Sequence, residues 1–139
     1  MKHNQPVTKI MSHQLITVHH GDPISKVRQI IREQGVHHVP VVSGDQLVGI
    51  ISASDILRIS FGDAFNTDER AVDATLDHTM TIEQVMVKDV TRLTEQSTIR
   101  EAAEILAEGK FHSLAVVNGG KLVGMVTSTD LIRYLLEQL

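Results

Sequence analysis

Apolar residues recur along this chain at two spacings, and the spacings alternate. Ile24, Val27, Ile30 and Ile31 fall at helical intervals between Asp22-Pro23 and Gly35, and Ile99, Ala102, Ile105 and Leu106 do the same after Ser97. Apolar positions three and four apart share one helix face, and a cap residue followed by a first-turn proline is a helix opening. β-Branched runs follow each helix. Val39 to Val42 and Leu47 to Ile51 are separated by Ser43-Gly44-Asp45-Gln46, and Asn118-Gly119-Gly120-Lys121 separates their counterparts, so each pair is predicted to be a hairpin. Leu15 to Val18 and Val90 to Leu93 are expected as leading strands, and helices starting near Ser54 and Thr129 close the pattern. The predicted unit is β-α-β-β-α, and it occurs twice.

The recurrence extends to residue identity. Residues 7 to 58 align with residues 82 to 133 without a gap, and 13 of the 52 aligned positions are identical, among them Met11/Met86, His37/His112, Gly49/Gly124, Asp55/Asp130 and Arg58/Arg133. The chain divides into a first repeat (1–59), a polar and acidic connector with a short helix (60–81) and a second repeat (82–139). A unit of this size buries only about 60% of its unfolded surface and is marginal alone. The expected fold is therefore α/β, with the two repeats packed into one body with pseudo-twofold symmetry.

Composition narrows the function. In 139 residues there are 13 Lys and Arg against 17 Asp and Glu, a net charge of −4, and the signs are interspersed. That balance gives no electrostatic footprint for a nucleic-acid backbone or an anionic membrane. No apolar run approaches the roughly 20 residues needed to cross a bilayer, and Met1-Lys2-His3-Asn4-Gln5-Pro6 has no apolar signal core, so a cytoplasmic location is expected. The absence of cysteine removes disulfides and thiolate chemistry and agrees with a reducing compartment. With no Gly-rich phosphate loop, nucleophile elbow or paired-carboxylate site either, no enzyme is expected.

The chemistry concentrates where the last strand of each repeat meets the closing helix. Ser52 and Asp55, like Thr127 and Asp130, have the [ST]-x-x-[DE] spacing of a helix capping box, worth about 1 kcal/mol per cap. The same groups suit a ligand. A helix N-terminus attracts phosphate, the hydroxyls of Ser52, Ser54, Thr127 and Thr129 add donors, and the two oxygens of a carboxylate accept from the vicinal hydroxyls of a ribose. Spacing alone leaves both readings open.

The segments Gly49-Ile50-Ile51-Ser52-Ala53-Ser54-Asp55 and Gly124-Met125-Val126-Thr127-Ser128-Thr129-Asp130 match the G-h-h-[ST]-x-[ST]-D signature of CBS domains, h being apolar, and Val39-Pro40-Val41-Val42 is similar to that family's second strand. The resemblance covers both repeats. It implies a Bateman module that binds an adenosine-containing ligand in clefts between its repeats, usually dimerises, and signals to a separate partner. It further implies that the base is held by Ile16 and Val36 in one repeat and by Thr91 and Phe111 in the other, Thr91 being a departure from the apolar pattern. His37 and His38, with His112 and Ser113, stand where the family often places His or Arg toward phosphates. No arginine stands there, and histidine carries at most a partial charge near neutral pH, so AMP is expected over ATP.

The remaining candidates are plainer. Arg58 and Arg133, three residues past the aspartates, are spaced to orient them or simply to face solvent. His19-His20 and His37-His38 are adjacent pairs whose neighbouring side chains diverge on a strand, so no metal is expected. A ligand-free docking scaffold is the alternative function.

Overall fold

A computed structural model describes residues 4–60 and 68–139. Phe61 and Phe65 of the expected connector lie outside the described residues. The chain forms two compact units, one of residues 16–90 and one of residues 1–15 with 91–139.

In the 16–90 unit, β1 (Val18–His19) runs through α1 (Ile24–Gln34) to β2 (His38–Ser43), which turns into β3 (Gln46–Ser52) and α2 (Ala53–Ile59). The connector then supplies α3 (Glu69–Thr79), and α4 (Ile82–Val85) follows. β1 pairs parallel with β2, as a helical crossover allows, and β2 pairs antiparallel with β3. Val18, Ile24, Val27, Val39, Val41, Ile51, Ile56, Val72, Leu76 and Ile82 form the core.

The second unit repeats this order. A 3₁₀ turn at Val7–Lys9 accompanies β4 (Arg92–Thr94), α5 (Ile99–Ala107), β5 (Ser113–Asn118), β6 (Lys121–Thr127) and α6 (Ser128–Gln138). β4 pairs parallel with β5 and β5 antiparallel with β6, and its core holds Val7, Met11, Leu93, Ala102, Leu106, Leu114, Val116 and Val126. Both hairpins have two-residue loops, yet the turns differ. Gly119 and Gly120 both have positive φ (58° and 87°), as a type I′ turn requires, whereas in the Gly44-Asp45 loop only Gly44 does (63°).

Several local expectations shift. The leading strands are shorter and later than the apolar runs suggested. Pro23 rather than Asp22 is the N-cap of α1 and gives no side-chain cap bond, while Asp22 accepts from the His19 amide and pairs with Lys26. The missing cap comes from the connector. Asp77 on α3 accepts the Ser25 amide at 2.8 Å and the Ser25 hydroxyl at 2.6 Å. Glu69, Asp73 and Asp77 recur every four residues on one face of α3. Arg28, whose side chain is 11% exposed, bridges Glu69 and Asp73, and Arg32 also reaches Glu69. In the other unit Thr98, not Ser97, caps α5, and Ser97 instead accepts from the Thr94 amide.

The compact units do not follow the repeats. Residues 1–15, the start of the first repeat, pack with the body of the second, and residues 82–90 pack with the body of the first. Ser12 and Met125 exchange two backbone hydrogen bonds (2.8 and 3.2 Å), and Val87 and Ile50 do the same (2.9 and 3.0 Å). Beside each bridge a methionine covers a glycine. A Cβ placed on Gly49 would lie 2.6 Å from Met86 Sδ, and one on Gly124 nearer still to Met11 Sδ. The glycine opening the G-h-h-[ST] motif therefore makes room for the methionine that leads the other repeat.

This packing predicts a coupled pair. Gly124→Val should cost about 1–3 kcal/mol by overpacking. Adding Met11→Ala should recover part of that loss, giving a coupling above about 0.5 kcal/mol in a double-mutant cycle measured by urea unfolding. Strict additivity of the two losses would show that the contact does not govern the glycine.

Candidate functional site

Each strand-to-helix junction is a closed set of hydrogen bonds. Ser52, with extended backbone, ends β3 and caps α2: its Oγ accepts the Asp55 amide at 3.1 Å, and Asp55 Oδ2 accepts the Ser52 amide at 2.9 Å. Thr127 does the same for α6, with Thr127 Oγ1 accepting the Asp130 amide at 3.1 Å and Asp130 Oδ2 accepting the Thr127 amide at 2.8 Å. Both motif copies fold as the capping box their spacing predicts.

A further bond in each junction had no sequence signal. The first helical amide, Ala53 or Ser128, donates to the carbonyl of His37 (2.8 Å) or His112 (2.9 Å). The segment before β2 or β5 is thereby pinned to the helix start. The main chain makes this contact, so it does not require histidine, and both histidines are exposed. Of the first three helical amides, the structure leaves only those of Ser54 and Thr129 for a ligand.

The outer groups differ between the junctions. Ser52 Oγ and Ser54 Oγ lie 2.9 Å apart, and Arg58 Nη2 donates to Asp55 Oδ1 at 2.9 Å, so both Asp55 oxygens are engaged. Asp55 is buried. Burial acts to raise its pKa, but the Ser52 amide and hydroxyl and the Arg58 guanidinium outweigh it, and the carboxyl sits below its ordinary 3.8. Asp130 is only half-buried, its Oδ1 has no hydrogen bond among the described residues, and Arg133 makes no ion pair with it. Thr129 is exposed.

Across the sheet the partners differ too. His38 lies opposite Ser52 on β2 and is half-buried, whereas its counterpart Ser113, opposite Thr127 on β5, is 8% exposed with an Oγ that has no partner. The residues expected around a base are less united. Ile16 and Val36 are half-buried, with Val36 against the core, while Thr91 and Phe111 are exposed. Among the described residues no hydrogen bond ties them to the junctions.

Elsewhere, His19 and His20 do not diverge as expected: β1 ends at His19, the two rings lie 4.3 Å apart, and His20 Nδ1 lies 3.0 Å from Glu83. Among the described residues no group of three or more His, Asp or Glu side chains is arranged to hold a metal ion, and no helix is long and apolar enough to cross a membrane.

Comparison with known proteins places this geometry. The model of the CBS domain matches twice, over residues 7–62 and 82–137. The chain belongs to the CBS domain family. Its curated relatives include protein MJ1225 of Methanocaldococcus jannaschii, 28% identical over 133 residues, which are 95% of this chain and 43% of that protein. The chain spans less than half the length of the first curated CBS relatives it matches. Among solved CBS structures, CBSX2 in complex with AMP is similar with a TM-score of 0.79 and 23% identity, covering 96% of this chain and 98% of that one. The CBS domain pair of protein MJ0100, in complex with 5′-methylthioadenosine and S-adenosyl-L-methionine, is similar with a TM-score of 0.76 and 26% identity, covering 97% and 98%. The α/β fold of tandem CBS domains is thus shared across nearly the whole chain.

The Asp55 junction generates a pH prediction. Because the folded carboxyl titrates below its unfolded value, its contribution is fully present above the unfolded pKa and is lost as pH falls through the folded one. Asp55→Asn should therefore lower stability near neutral pH by about 1–2 kcal/mol. Urea midpoints of variant and wild type should then converge as the pH drops well below the 3.8 of an ordinary Asp. A constant gap down that acid limb would mean the carboxylate's charge contributes nothing.

Proposed function

We propose that this chain is a regulatory module that binds an adenosine-containing ligand at its strand-to-helix junctions and passes the binding event to a separate effector protein. The observation that carries this reading is the duplicated junction itself, a carboxylate and two hydroxyls held at the same places in both repeats of a CBS pair. The ligands bound by the MJ0100 pair and by CBSX2 have adenosine in common, which supports a ligand of that class.

In this reading Asp55 and Asp130 accept from the ribose hydroxyls. Ser52, Ser54, Thr127 and Thr129 face the 5′ substituent, with His37, His38, His112 and Ser113 nearby. Ile16 and Val36, or Thr91 and Phe111, hold the base. Most amides of the helix start are already bonded and positions 37, 38, 112 and 113 hold no arginine, so a monophosphate such as AMP suits the site better than ATP. The module is not itself an enzyme and needs no obligatory cofactor. It acts in the cytoplasm as a homodimer and binds neither nucleic acid nor membrane.

A ligand-free docking scaffold is the second reading, and two observations favour it. Both capping boxes are satisfied internally, and α6 buries none of its residues while leaving Ile132, Leu135 and Leu136 exposed, with Leu139 exposed just after it. An apolar helix face of this kind suits a second copy of the chain.

Thermal unfolding with AMP, ADP, ATP, S-adenosylmethionine and NAD separates the readings. A ligand at 100 times its Kd adds about 2.7 kcal/mol, a shift of several degrees for a chain of this size. The sensor reading expects such a shift with at least one adenosine compound, and a flat panel would leave the scaffold.

A further inference from the structure

We infer that the two adenosine sites are unequal: the Asp130 junction takes ligand first, and Arg58 weakens the Asp55 junction by occupying the carboxylate oxygen that a ribose hydroxyl needs. This rests on the adenosine-binding reading and goes beyond it, because the repeat itself predicts two equivalent sites.

Two differences point the same way. The first is the arginine. Arg58 and Arg133 hold the same repeat position, yet only Arg58 bonds its aspartate, so the outer oxygen is occupied at Asp55 and open at Asp130. The Arg58 side chain is 68% exposed. An exposed pair of this kind is worth no more than about 1 kcal/mol, so a ligand displaces it at a loss of up to about fivefold in affinity. Arg58 is a brake on that site and not an absolute block.

The second difference lies across the sheet. Directly opposed residues of an antiparallel pair project from the same face, so His38 stands beside Ser52 and Ser113 beside Thr127. In one unit that place is filled by an imidazole. In the other it holds a small side chain, more than nine-tenths buried, whose hydroxyl has no partner among the described residues. A buried hydroxyl left unbonded is costly, and a ligand that bonds it recovers that cost as affinity. α6, with 11 residues, begins at the same junction. Among the described residues an open carboxylate oxygen and an orphan hydroxyl occur together at this junction and not at the other.

Isothermal titration of the full chain with AMP reads both sites. Wild type should bind one AMP per chain, with any second event at least about tenfold weaker, a gap of about 1.4 kcal/mol. Arg58→Ala should strengthen the second event by up to about fivefold. Arg58→Ala with His38→Ser should bring it to within about threefold of the first. Arg133→Ala should leave the titration unchanged. Ser113→Ala and Asp130→Asn should each weaken the first event without lowering the thermal midpoint enough to unfold the chain at the titration temperature. Two equal sites in wild type, or an unchanged second event in both Arg58 variants, overturns the inequality while leaving adenosine binding intact. No AMP heat in any variant, together with no shift across the ligand panel, overturns both.

Discussion

A strand that must accept a methionine from a distant part of the chain has no room for a side chain where the methionine lands. Gly49 and Gly124 meet that constraint, and much of the architecture follows. Met86 covers the first glycine and Met11 the second, so the leading segment of each repeat is built into the body of the other. The backbone passes from one unit to the other after residue 15 and again after residue 90. A sequence repeat is thus not a folding unit here: cut at its own boundaries, each would lose a buried turn, a two-bond bridge and a core methionine or its equivalent. The glycine sits three residues ahead of the capping serine or threonine, so the same strand that receives the exchanged segment delivers the functional junction.

That junction is economical. Four groups, an N-cap hydroxyl, a carboxylate, a preceding carbonyl and the helix amides, satisfy one another before any ligand arrives. The aspartate is consequently a structural residue whose second oxygen is the part available for recognition. Where Arg58 takes that oxygen the junction is complete in itself, and where Arg133 does not, one acceptor remains open. The duplication supplied two copies of the frame, and divergence at the surrounding positions decides what each copy can do.

The element order, the hairpins, both capping boxes and the inward faces of α1 and α5 were legible because each depends on residues close in sequence. The turn glycines, the apolar spacing and the [ST]-x-x-D pattern carry their meaning locally. What was not legible is non-local. Nothing near Pro23 says that the cap of α1 comes from Asp77, 52 residues away from Ser25. Asp22 had the right residue type in nearly the right place, but the extended turn from His19 claimed its carboxylate. The segment exchange was hidden for the same reason: the shared Met11 and Met86 marked the repeat, while which glycine each covers is a tertiary fact. At the site, the recurrence of His37 and His112 drew attention to side chains, whereas the bond that the structure forms there is made by their carbonyls. The contrast between His38 and Ser113 was visible as a mismatch, but its consequence depends on burial.

Internal satisfaction also limits what kind of ligand these junctions can prefer. A helix N-terminus attracts phosphate through its unbonded amides, and here the N-cap, first and third helical amides already have acceptors. One amide and a few hydroxyls remain at each helix start, too few donors to hold a polyphosphate. In the proposed function recognition then falls mainly on the part of the molecule that adenosine compounds share, the ribose diol and the base. Discrimination among those compounds must come from residues outside the capping box. Phe111 at 37% exposure and Thr91 differ from their counterparts Val36 and Ile16 in size and polarity. Under the proposed function, specificity would be written in the positions where the two repeats disagree, on a capping frame that both share.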